Sequence, residues 1–555
     1  MRQRFVILSA VCLIASGAGD KLFQFEDSAL SRGLTLDNTY GGRERKQYIL
    51  ETTGNGAAIF DYDGDGLNDI LITNGTTLEH RPGTSVQLYH NDGKGHFSDA
   101  TPRSGFAQIE GWAQGVCAAD YDNDGRTDIL VTYYGHNRLF HNEGSGKFRD
   151  VTGAAGLPVT GTRYGAGCAF VDYDRDGSVD LMVSNYADID LKTLPKPGSA
   201  STCEWKNIPV MCGPRGLPLG RNYLYHNRGD GTFEDVSEKA GIWKPGGRYG
   251  LGVIAADFSN DGWPDIYVAC DMTPGLLYRN KHDGTFEESG VAAGVAYNFD
   301  GQLQAGMGVA VADYDNDGRL DIAKTNFSGD LPSLFHNDGG RFFTDVSQQA
   351  GLRANHLLGW GIAFADFDED GWKDLVLANG HVYPEVDKSQ IGETYRQRTL
   401  LYRNIGNGKF ADFTSEAGPA FATLRPARGL ATGDLTGDGR QSIVIVNMNQ
   451  KPSLLINGAS RTGNYARFRL RGKKSNVSAI GARITIEARG HKQMDEVRSG
   501  GSFYSQNDLA IHFGLGSATE VDRLVVRWPS GLEQEWKKVA ANRTIDLVEG
   551  EQGFK

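Results

Sequence analysis

A nine-residue acidic motif, D-x-D-x-D-G-x-x-D, is the feature of this sequence whose residue types and spacing point most directly to chemistry. Carboxylates held this close together repel one another unless a cation or protons neutralise them. Repetition in one phase along the chain indicates a repeated unit with a repeated site. The copies are DYDGDGLND at Asp61, DYDNDGRTD at Asp120, DYDRDGSVD at Asp172, DFSNDGWPD at Asp257, DYDNDGRLD at Asp313, DFDEDGWKD at Asp366 and the degenerate DLTGDGRQS at Asp434.

Calcium is the cation that this spacing favours. Ca²⁺ takes about six to eight oxygen ligands, and an EF-hand loop supplies them from alternating positions with a glycine at the sharp turn. Zinc is disfavoured because no cysteine and histidine set accompanies the loops in the sequence. The alternative is a set of solvated Asp/Gly turns that hold no ion. In the first copy the expected ligands are Asp61, Asp63, Asp65, Asp69 and, through its carbonyl, Leu67.

The remaining copies supply ligands from the same positions, with two departures. The fourth copy has Ser259 where the others have their second aspartate, and the seventh keeps only Asp434 and Asp438. We therefore expect about five or six bound Ca²⁺ ions. The expected ligands outside the first copy, with the seventh position of each copy acting through its carbonyl, are Asp120, Asp122, Asp124, Arg126, Asp128, Asp172, Asp174, Asp176, Ser178, Asp180, Asp257, Ser259, Asp261, Trp263, Asp265, Asp313, Asp315, Asp317, Arg319, Asp321, Asp366, Asp368, Asp370, Trp372 and Asp374.

The N-terminus has the pattern of a secretory signal peptide over residues 1–18. Arg2 and Arg4 precede an apolar run, and small residues at 16–18 fit a cleavage site. The run is too short to span a membrane, and no later segment is long and apolar enough to do so. We therefore expect a secreted protein, extracellular or periplasmic, that is not anchored to a membrane.

Cysteine usage agrees with an oxidising compartment. Five cysteines follow the signal peptide, so at least one stays unpaired within the chain. Cys203 and Cys212 lie in an irregular, proline-containing segment, and we expect them to form a disulfide. Cys117 and Cys168 lie in apolar strand patterns, which favours small buried thiols.

The segments around the acidic loops predict an all-β fold, a seven-bladed β-propeller. Each loop is preceded by a small-residue apolar run such as GVCAAD and followed by a strand such as ILITN. A hairpin such as LYHNDGKGHF then leads into a short F-x-D strand. Four short strands in each repeat, with no helix pattern, are typical of propeller blades.

Two further patterns support a closed ring. The seventh repeat lacks its F-x-D strand, and the missing pattern stands at the N-terminus as FQFED from Phe23, so we expect that strand to complete the last blade. A glycine also stands five residues before the first aspartate of every copy, where innermost strands would crowd around the axis. These glycines are Gly56, Gly115, Gly167, Gly252, Gly308, Gly361 and Gly429.

The repeats resemble FG-GAP/VCBS repeats of integrin alpha-subunit propellers, and more closely those of the cartilage acidic protein family. In that family such repeats precede an ASPIC/UnbV domain. The tail is similar to that domain through GA at Gly481, SQ at Ser505, HFGLG at His512 and WPSG at Trp528. The resemblance implies a propeller over residues 19–459 and a small β-rich domain over residues 460–555. The basic balance of the tail suggests contact with the acidic propeller.

Long insertions mark one face as the candidate binding surface. Blade topology places the acidic loops and the hairpins on one face and the connections from second to third strands on the other. Long ordered loops on a rigid scaffold often carry function. Asparagines that end the second strands are either turn residues or part of a polar rim. The predicted ligand-binding residues are Asn185, Trp205, Arg215, Asn379, His381, Tyr383, Glu385 and Asp387.

Together these features predict a secreted, monomeric, calcium-binding propeller that binds an extracellular protein or glycan. The alternative is a secreted enzyme with its active site at the funnel on the face opposite the calcium loops. The sequence shows no nucleophile motif, catalytic zinc set or phosphate loop. No clustered basic run with stacking aromatic residues points to nucleic acid.

Overall fold

The computed structural model describes residues 21–79, 83–460 and 463–554, and the regular secondary structure there is almost entirely β-strand. The signal peptide predicted over residues 1–18 lies outside the described residues. No helix in the described ranges is long and apolar enough to cross a membrane. The short helices are α1 (Leu50–Thr53), α2 (Gly290–Ala293), α3 (Ser347–Ala350) and α4 (Pro419–Ala422), with 3-10 turns at Thr101–Arg103, Ser201–Cys203 and Pro384–Lys388.

Seven four-stranded antiparallel units follow one another along the described chain, and the second and third are joined into one eight-stranded sheet because Tyr164 pairs with Tyr134. In units one to six the strands pair in chain order, and the acidic loop joins the first strand to the second. The first three units are β2 (Ala57–Phe60), β3 (Asp69–Thr73), β4 (Val86–Asn91) and β5 (Phe97–Asp99); β6 (Trp112–Ala119), β7 (Asp128–Gly135), β8 (Arg138–Gly144) and β9 (Lys147–Asp150); and β10 (Arg163–Val171), β11 (Asp180–Asn185), β14 (Tyr223–Asn227) and β15 (Phe233–Asp235).

The later units repeat this order, and two small hairpins lie beside them. Units four to six are β16 (Gly250–Ala256), β17 (Asp265–Cys270), β18 (Leu276–Asn280) and β19 (Phe286–Glu288); β20 (Gly306–Ala312), β21 (Asp321–Asn326), β22 (Ser333–Asn337) and β23 (Phe343–Asp345); and β24 (Gly359–Ala365), β25 (Asp374–Asn379), β27 (Leu400–Asn404) and β28 (Phe410–Asp412). The hairpins pair β12 (Glu204–Trp205) with β13 (Ile208–Pro209) and β26 (Gln397–Arg398) with β29 (Leu424–Arg425).

Unit seven takes its fourth strand from the N-terminus. Its strands β30 (Ala427–Gly433), β31 (Ser442–Asn447) and β32 (Ser453–Asn457) are completed by β1 (Phe25–Asp27). β1 pairs antiparallel with β32, with Phe25 opposite Asn457. This is the pairing that the displaced F-x-D pattern predicts, and it covers the outer edge of β32.

Burial falls from the first strand of a unit to the fourth. Every residue of β20 is buried, whereas β23 buries only Phe343 fully. Small residues fill the first strands because neighbouring units meet there. The Phe of each F-x-D strand anchors the outermost strand to the core, and its polar neighbours face solvent.

Glycines bring the first strands of successive units into close contact. A Cβ on Gly308 would stand 2.1 Å from the carbonyl oxygen of Trp360, and one on Gly429 would stand 2.5 Å from that of Asn55. Only a residue without a side chain permits this approach, as the sequence predicts. The contacts run from unit to unit and return from unit seven to unit one: Gly115 to Ala166, Gly167 to Leu251, Gly252 to Met307, Gly308 to Trp360, Gly361 to Leu430 and Gly429 to Asn55.

Substitution of one of these glycines is expected to destabilise the whole ring. Gly308→Ala should lower the free energy of unfolding by about 3 kcal/mol, because the added Cβ must displace backbone rather than a flexible side chain. Urea unfolding measures the loss. Gly458→Ala is the matched control, since its Cβ would stand 3.6 Å from the nearest atom, the carbonyl oxygen of Gln24. Equal stability of the two variants would contradict the close-approach argument.

Residues 464–548 form two small sheets. One contains β36, β33 and β39, with β33 and β39 parallel, and the other contains β35, β34, β37 and β38. One apolar cluster includes side chains of propeller units two and three together with side chains of these sheets. Their strands are β33 (Asn464–Arg471), β34 (Arg483–Ala488), β35 (His491–Glu496), β36 (Ile511–Gly516), β37 (Glu520–Arg527), β38 (Glu533–Ala540) and β39 (Arg543–Val548).

The segment between β35 and β36, residues 497–510, lies among the first strands of the propeller units and is called the central segment below. Ser502 exchanges backbone hydrogen bonds with Val309 of unit five, at 2.6 and 2.9 Å. The Val116 N–H of unit two donates to the Tyr504 carbonyl at 3.0 Å. The Gln506 N–H donates to the carbonyl of Ala57 in unit one at 2.9 Å. The C-terminal region thus reaches the centre of the ring.

Candidate functional site

Each acidic loop folds around its own first aspartate. In loop one, Asp61 accepts backbone N–H bonds from Gly64 at 2.7 Å and Gly66 at 2.8 Å, and Asp65 accepts one from Leu67 at 2.9 Å. Gly64 and Gly66 have φ values of 80° and 86°, a conformation that glycine adopts without strain. The bond from the sixth-position glycine recurs at Asp120, Asp257, Asp313, Asp366 and, in the degenerate loop, Asp434.

The last aspartate of motifs one to six is buried and fixed by the neighbouring hairpin. Asp69 accepts N–H bonds from Tyr62 at 3.1 Å and Asn91 at 2.8 Å. Burial is the largest cause that raises the pKa of Asp69, to about 8, and the nearby carboxylates add to it. Burial likewise raises the pKa of Asp128 to about 9 and of Asp180 to about 8. In the absence of a cation, ionisation of these carboxylates is therefore costly.

Hairpin histidines also reach the acidic loops, from one shared hairpin position in loops one, two, three and five, and through His282, whose Nε2 lies 3.1 Å from Asp261, in loop four. The Nδ1 atom of His90 lies 3.2 Å from Asp63 and 3.5 Å from Asp69. The ligand set expected from the sequence does not include these histidines, and zinc is disfavoured there because no cysteine and histidine set accompanies the loops; the structure shows that histidines do reach the loops. A single nitrogen among several carboxylate oxygens still forms an oxygen-rich set, which favours calcium over zinc. The four Asp/His groups are centred on His90, His141, His226 and His336.

The residues present fit a hard cation. Each Asp/His group places its potential ligand atoms within 4.8 Å of one another. Several buried carboxylate oxygens in these loops accept no hydrogen bond from the described residues, and such oxygens are costly unless something else neutralises them. They are Oδ1 of Asp63, Asp172, Asp174 and Asp315.

Loops four and six carry an arginine where the other hairpins carry histidine. Arg279 donates to Asp265 at 2.6 Å and to Ser259 at 3.1 Å. Arg403 donates to Asp368 at 2.6 Å and to Asp370 at 2.7 Å. A guanidinium thus already neutralises part of each of these two clusters. An arginine of the loop itself pairs with the third aspartate in loops two and five, through Arg126 and Arg319, and Arg440 pairs with Asp438 in the degenerate seventh loop.

The C-terminal sheets cover the acidic-loop face. Arg527 donates to the carboxylate of Asp257 at 2.6 Å, and Arg483 donates to the carbonyl of the same residue at 2.8 Å. Arg469 donates to the Gly66 carbonyl of loop one at 3.0 Å. The basic balance of the tail is therefore used in contact with the propeller, as the sequence suggests.

The opposite face is built by the two insertions that the sequence singles out. The Cys203–Cys212 disulfide closes part of the first insertion, while Cys117, Cys168 and Cys270 are free and buried. The insertions meet where the Nε1–H of Trp205 donates to Glu393 at 2.6 Å. Burial alone would raise the pKa of Glu393, but its hydrogen bonds with His381, Trp205 and Lys206 outweigh burial and hold that pKa well below its usual range.

The eight predicted ligand-binding residues occupy three kinds of position. Trp205 and Tyr383 line a cavity on this face, and the fully buried His381 packs against both rings. Asn185 and Asn379 donate to the carbonyls of Arg221 and Arg398, so they act as turn residues. Asp387 accepts the Tyr395 N–H at 2.7 Å, the Glu385 carboxylate lies 3.8 Å from Arg45, and Arg215 is exposed outside the cavity.

The cavity has a volume of about 340 Å³ and an aromatic wall. Most of the lining lies outside the sequence prediction. Tyr186, Asp271 and Phe327 each stand at one repeat position, immediately after the place where most second strands end in asparagine. This shared repeat position is the sequence feature from which these lining residues could be predicted. Trp360 adds a further ring, which contacts Phe503 of the central segment at 4.8 Å between centroids.

Comparisons with known proteins agree with this architecture. A family model described as an FG-GAP-like repeat matches residues 61–131, 120–183, 212–268 and 257–323. A second model, ASPIC and UnbV, matches residues 472–553. The chain is a β-propeller protein of FG-GAP-like repeats followed by a C-terminal ASPIC and UnbV domain.

Its similarity extends to cartilage acidic protein 1. The chain is 26% identical to that protein of Xenopus tropicalis over 506 residues, which cover 86% of this chain and 70% of the relative. The protein of Homo sapiens is also 26% identical, over 501 residues that cover 86% of this chain and 69% of the relative. The predicted resemblance is confirmed.

The solved structures that match this chain do so with low sequence identity and low TM-scores. One is an Agrocybe aegerita lectin that recognises non-reducing terminal N-acetylglucosamine, with 19% identity, a TM-score of 0.37 and coverage of 67% of this chain and 84% of the lectin. Another is the Dos1 propeller, with 7% identity, a TM-score of 0.39 and coverage of 76% and 95%.

Proposed function

We propose that this protein is a secreted, calcium-stabilised β-propeller that binds an extracellular protein or glycan at the cavity face. The seven four-stranded units would be the seven blades of one ring over residues 19–459, with the ASPIC and UnbV domain over residues 460–555. The proposal rests on the difference between the acidic-loop face and the opposite face. The C-terminal sheets cover the acidic loops, whereas the opposite face has an open, aromatic-lined cavity.

Calcium would act as a structural clamp rather than as a reactant. The unpartnered, buried carboxylate oxygens of Asp63, Asp174 and Asp315 support this role. Loops one, two, three and five would bind Ca²⁺ most tightly. Loops four and six would bind more weakly, because Arg279 and Arg403 must first be displaced or rearranged. Of the expected total of about five or six ions, about four would bind tightly and the others weakly.

Secretion is supported by the disulfide and by the N-terminal pattern. A disulfide persists in oxidising compartments and is rare in the cytosol. Expression of the full chain with its own N-terminus tests the proposal. The processed protein should begin near residue 19 and appear outside the cytoplasm, whereas an intact N-terminus on a cytoplasmic protein would contradict secretion.

Loss of part of the cavity wall should weaken binding strongly. Trp205→Ala removes a ring that contacts Phe327, His381 and Tyr383, and we expect at least a tenfold loss of affinity for whichever array component the protein binds. The measurement is binding of the calcium-loaded chain to arrays of glycans and of purified extracellular proteins. Trp243→Ala, a half-buried tryptophan that lies outside the cavity lining and the acidic loops, is the control for loss of a tryptophan. Equal binding by both variants would place the binding surface elsewhere.

A further inference from the structure

The cavity on the face opposite the acidic loops has an unusual charge balance for its size. Among its described lining residues the only charged side chains are two acids, Asp271 and Asp330, and no lysine or arginine lines it. Its remaining wall is mainly apolar. The aromatic and sulfur-containing residues of that wall are Tyr186, Trp205, Met211, Met272, Met307, Phe327, Trp360 and Tyr383.

Asp271 is held in place but is not neutralised. It follows β17, and its backbone N–H donates to the Tyr249 carbonyl at 2.8 Å. The Tyr186 hydroxyl donates to its carboxylate. Among the described residues no basic side chain forms an ion pair with this carboxylate. Burial raises the pKa of Asp271 to about 6, and the Tyr186 hydrogen bond opposes that rise.

The rings around this carboxylate are fixed before any ligand arrives. Tyr186 packs edge-on against Tyr164 and Tyr249, with centroid distances of 5.3 and 5.9 Å. Trp205 donates a hydrogen bond to Glu393, and the ring of Trp360 packs against Phe503 of the central segment. A rigid wall of this kind lowers the ordering cost of binding.

We propose that the cavity binds a cationic group carried on an apolar stem, the chemistry of a lysine or arginine side chain presented by a partner protein. This inference rests on the proposed binding function of the face and names its ligand class. The aromatic faces attract a cation through their quadrupoles, and desolvation strengthens that attraction. The half-buried carboxylate of Asp271 supplies the opposite charge, which makes an ion pair with a guanidinium or ammonium favourable.

Small probes test the ligand class directly. We expect n-butylguanidinium to bind the calcium-loaded chain in the millimolar range, as followed by tryptophan fluorescence and by ligand-observed NMR. 1-Pentanol and pentanoate, which keep the apolar stem without the positive charge, should bind at least about tenfold more weakly. Asp271→Asn keeps an acceptor for the Tyr186 hydroxyl and removes the charge, so it should weaken n-butylguanidinium binding at least about tenfold.

A matched variant and two outcomes separate this proposal from the broader one. Asp188→Asn removes an exposed acid from the insertion that carries Trp205, outside the cavity, and should leave probe binding unchanged. Thermal unfolding of both variants confirms that they fold. Equal affinity for n-butylguanidinium and 1-pentanol would overturn the cationic ligand class and keep the cavity as a binding site. Absence of binding by every probe, together with no effect of Trp205→Ala on the arrays, would overturn both proposals.

Discussion

Removal of calcium with EDTA is expected to lower the melting temperature of the chain by about 10 °C or more. A ligand present at about 100 times its Kd stabilises the native state by about 2.7 kcal/mol for each site, so four tight sites would contribute about 11 kcal/mol. For a chain of this size each kcal/mol corresponds to roughly 1–2 °C. The loss follows from the buried carboxylates, which repel one another once the cation is absent.

The EDTA experiment needs a control for binding to a single loop. Asp174→Asn, in loop three, should lower the melting temperature in calcium and reduce the further loss in EDTA, because one clamp is already absent. Asp190→Asn changes an exposed aspartate outside the acidic loops and should behave like the unaltered chain. A melting temperature that does not respond to EDTA would contradict the clamp role and leave the acidic loops as unoccupied charge.

Replacement of Gln506 by alanine is expected to lower the free energy of unfolding by about 4 kcal/mol. The side chain is fully buried, and its Oε1 accepts the Ala118 N–H at 2.8 Å and the Ser499 hydroxyl at 2.7 Å. Its Nε2 donates to the Ala118 carbonyl at 3.0 Å. Truncation leaves these groups buried without partners, and each such group costs about 1–3 kcal/mol.

The same variant tests whether the two regions fold as one unit. The unaltered chain should unfold in a single transition, since the central segment bonds to units one, two and five. Gln506→Ala should separate unfolding of the C-terminal sheets from that of the propeller in chemical denaturation followed by circular dichroism. Gln348→Ala, an exposed glutamine on α3, is the control. A variant as stable as that control would show that the central segment contributes little.

The repeat architecture could be predicted because each local pattern carries its own physical reason. The F-x-D strand at the N-terminus is expected to pair with the seventh repeat, which lacks its own F-x-D strand. Phe25 lies opposite Asn457 of that repeat. The glycine before each acidic loop predicted close backbone approach, and Gly308 against Trp360 shows it. Such features depend on a few residues and on one rule of chain geometry.

Other features depend on register and on long-range contact, which the sequence pattern does not specify. His90 reaches the first acidic loop because β4 pairs with β3 in a register that sets Tyr89 opposite Ile70, which brings the next residue to Asp69. Asp271 faces the cavity because β17 ends at Cys270, immediately before it. The central segment sits more than 100 residues from its partners in the chain, and nothing in SGGSFYSQND signals that it enters the propeller.

The number of calcium ions bound to the chain from residue 19 onward is the most direct test of the account. Native mass spectrometry after equilibration in calcium gives the count, and titration separates tight from weak sites. We expect about four tight ions and a total of about five or six. Fewer than three bound ions would contradict it, because the histidine-containing loops would then be acidic turns that no cation holds together.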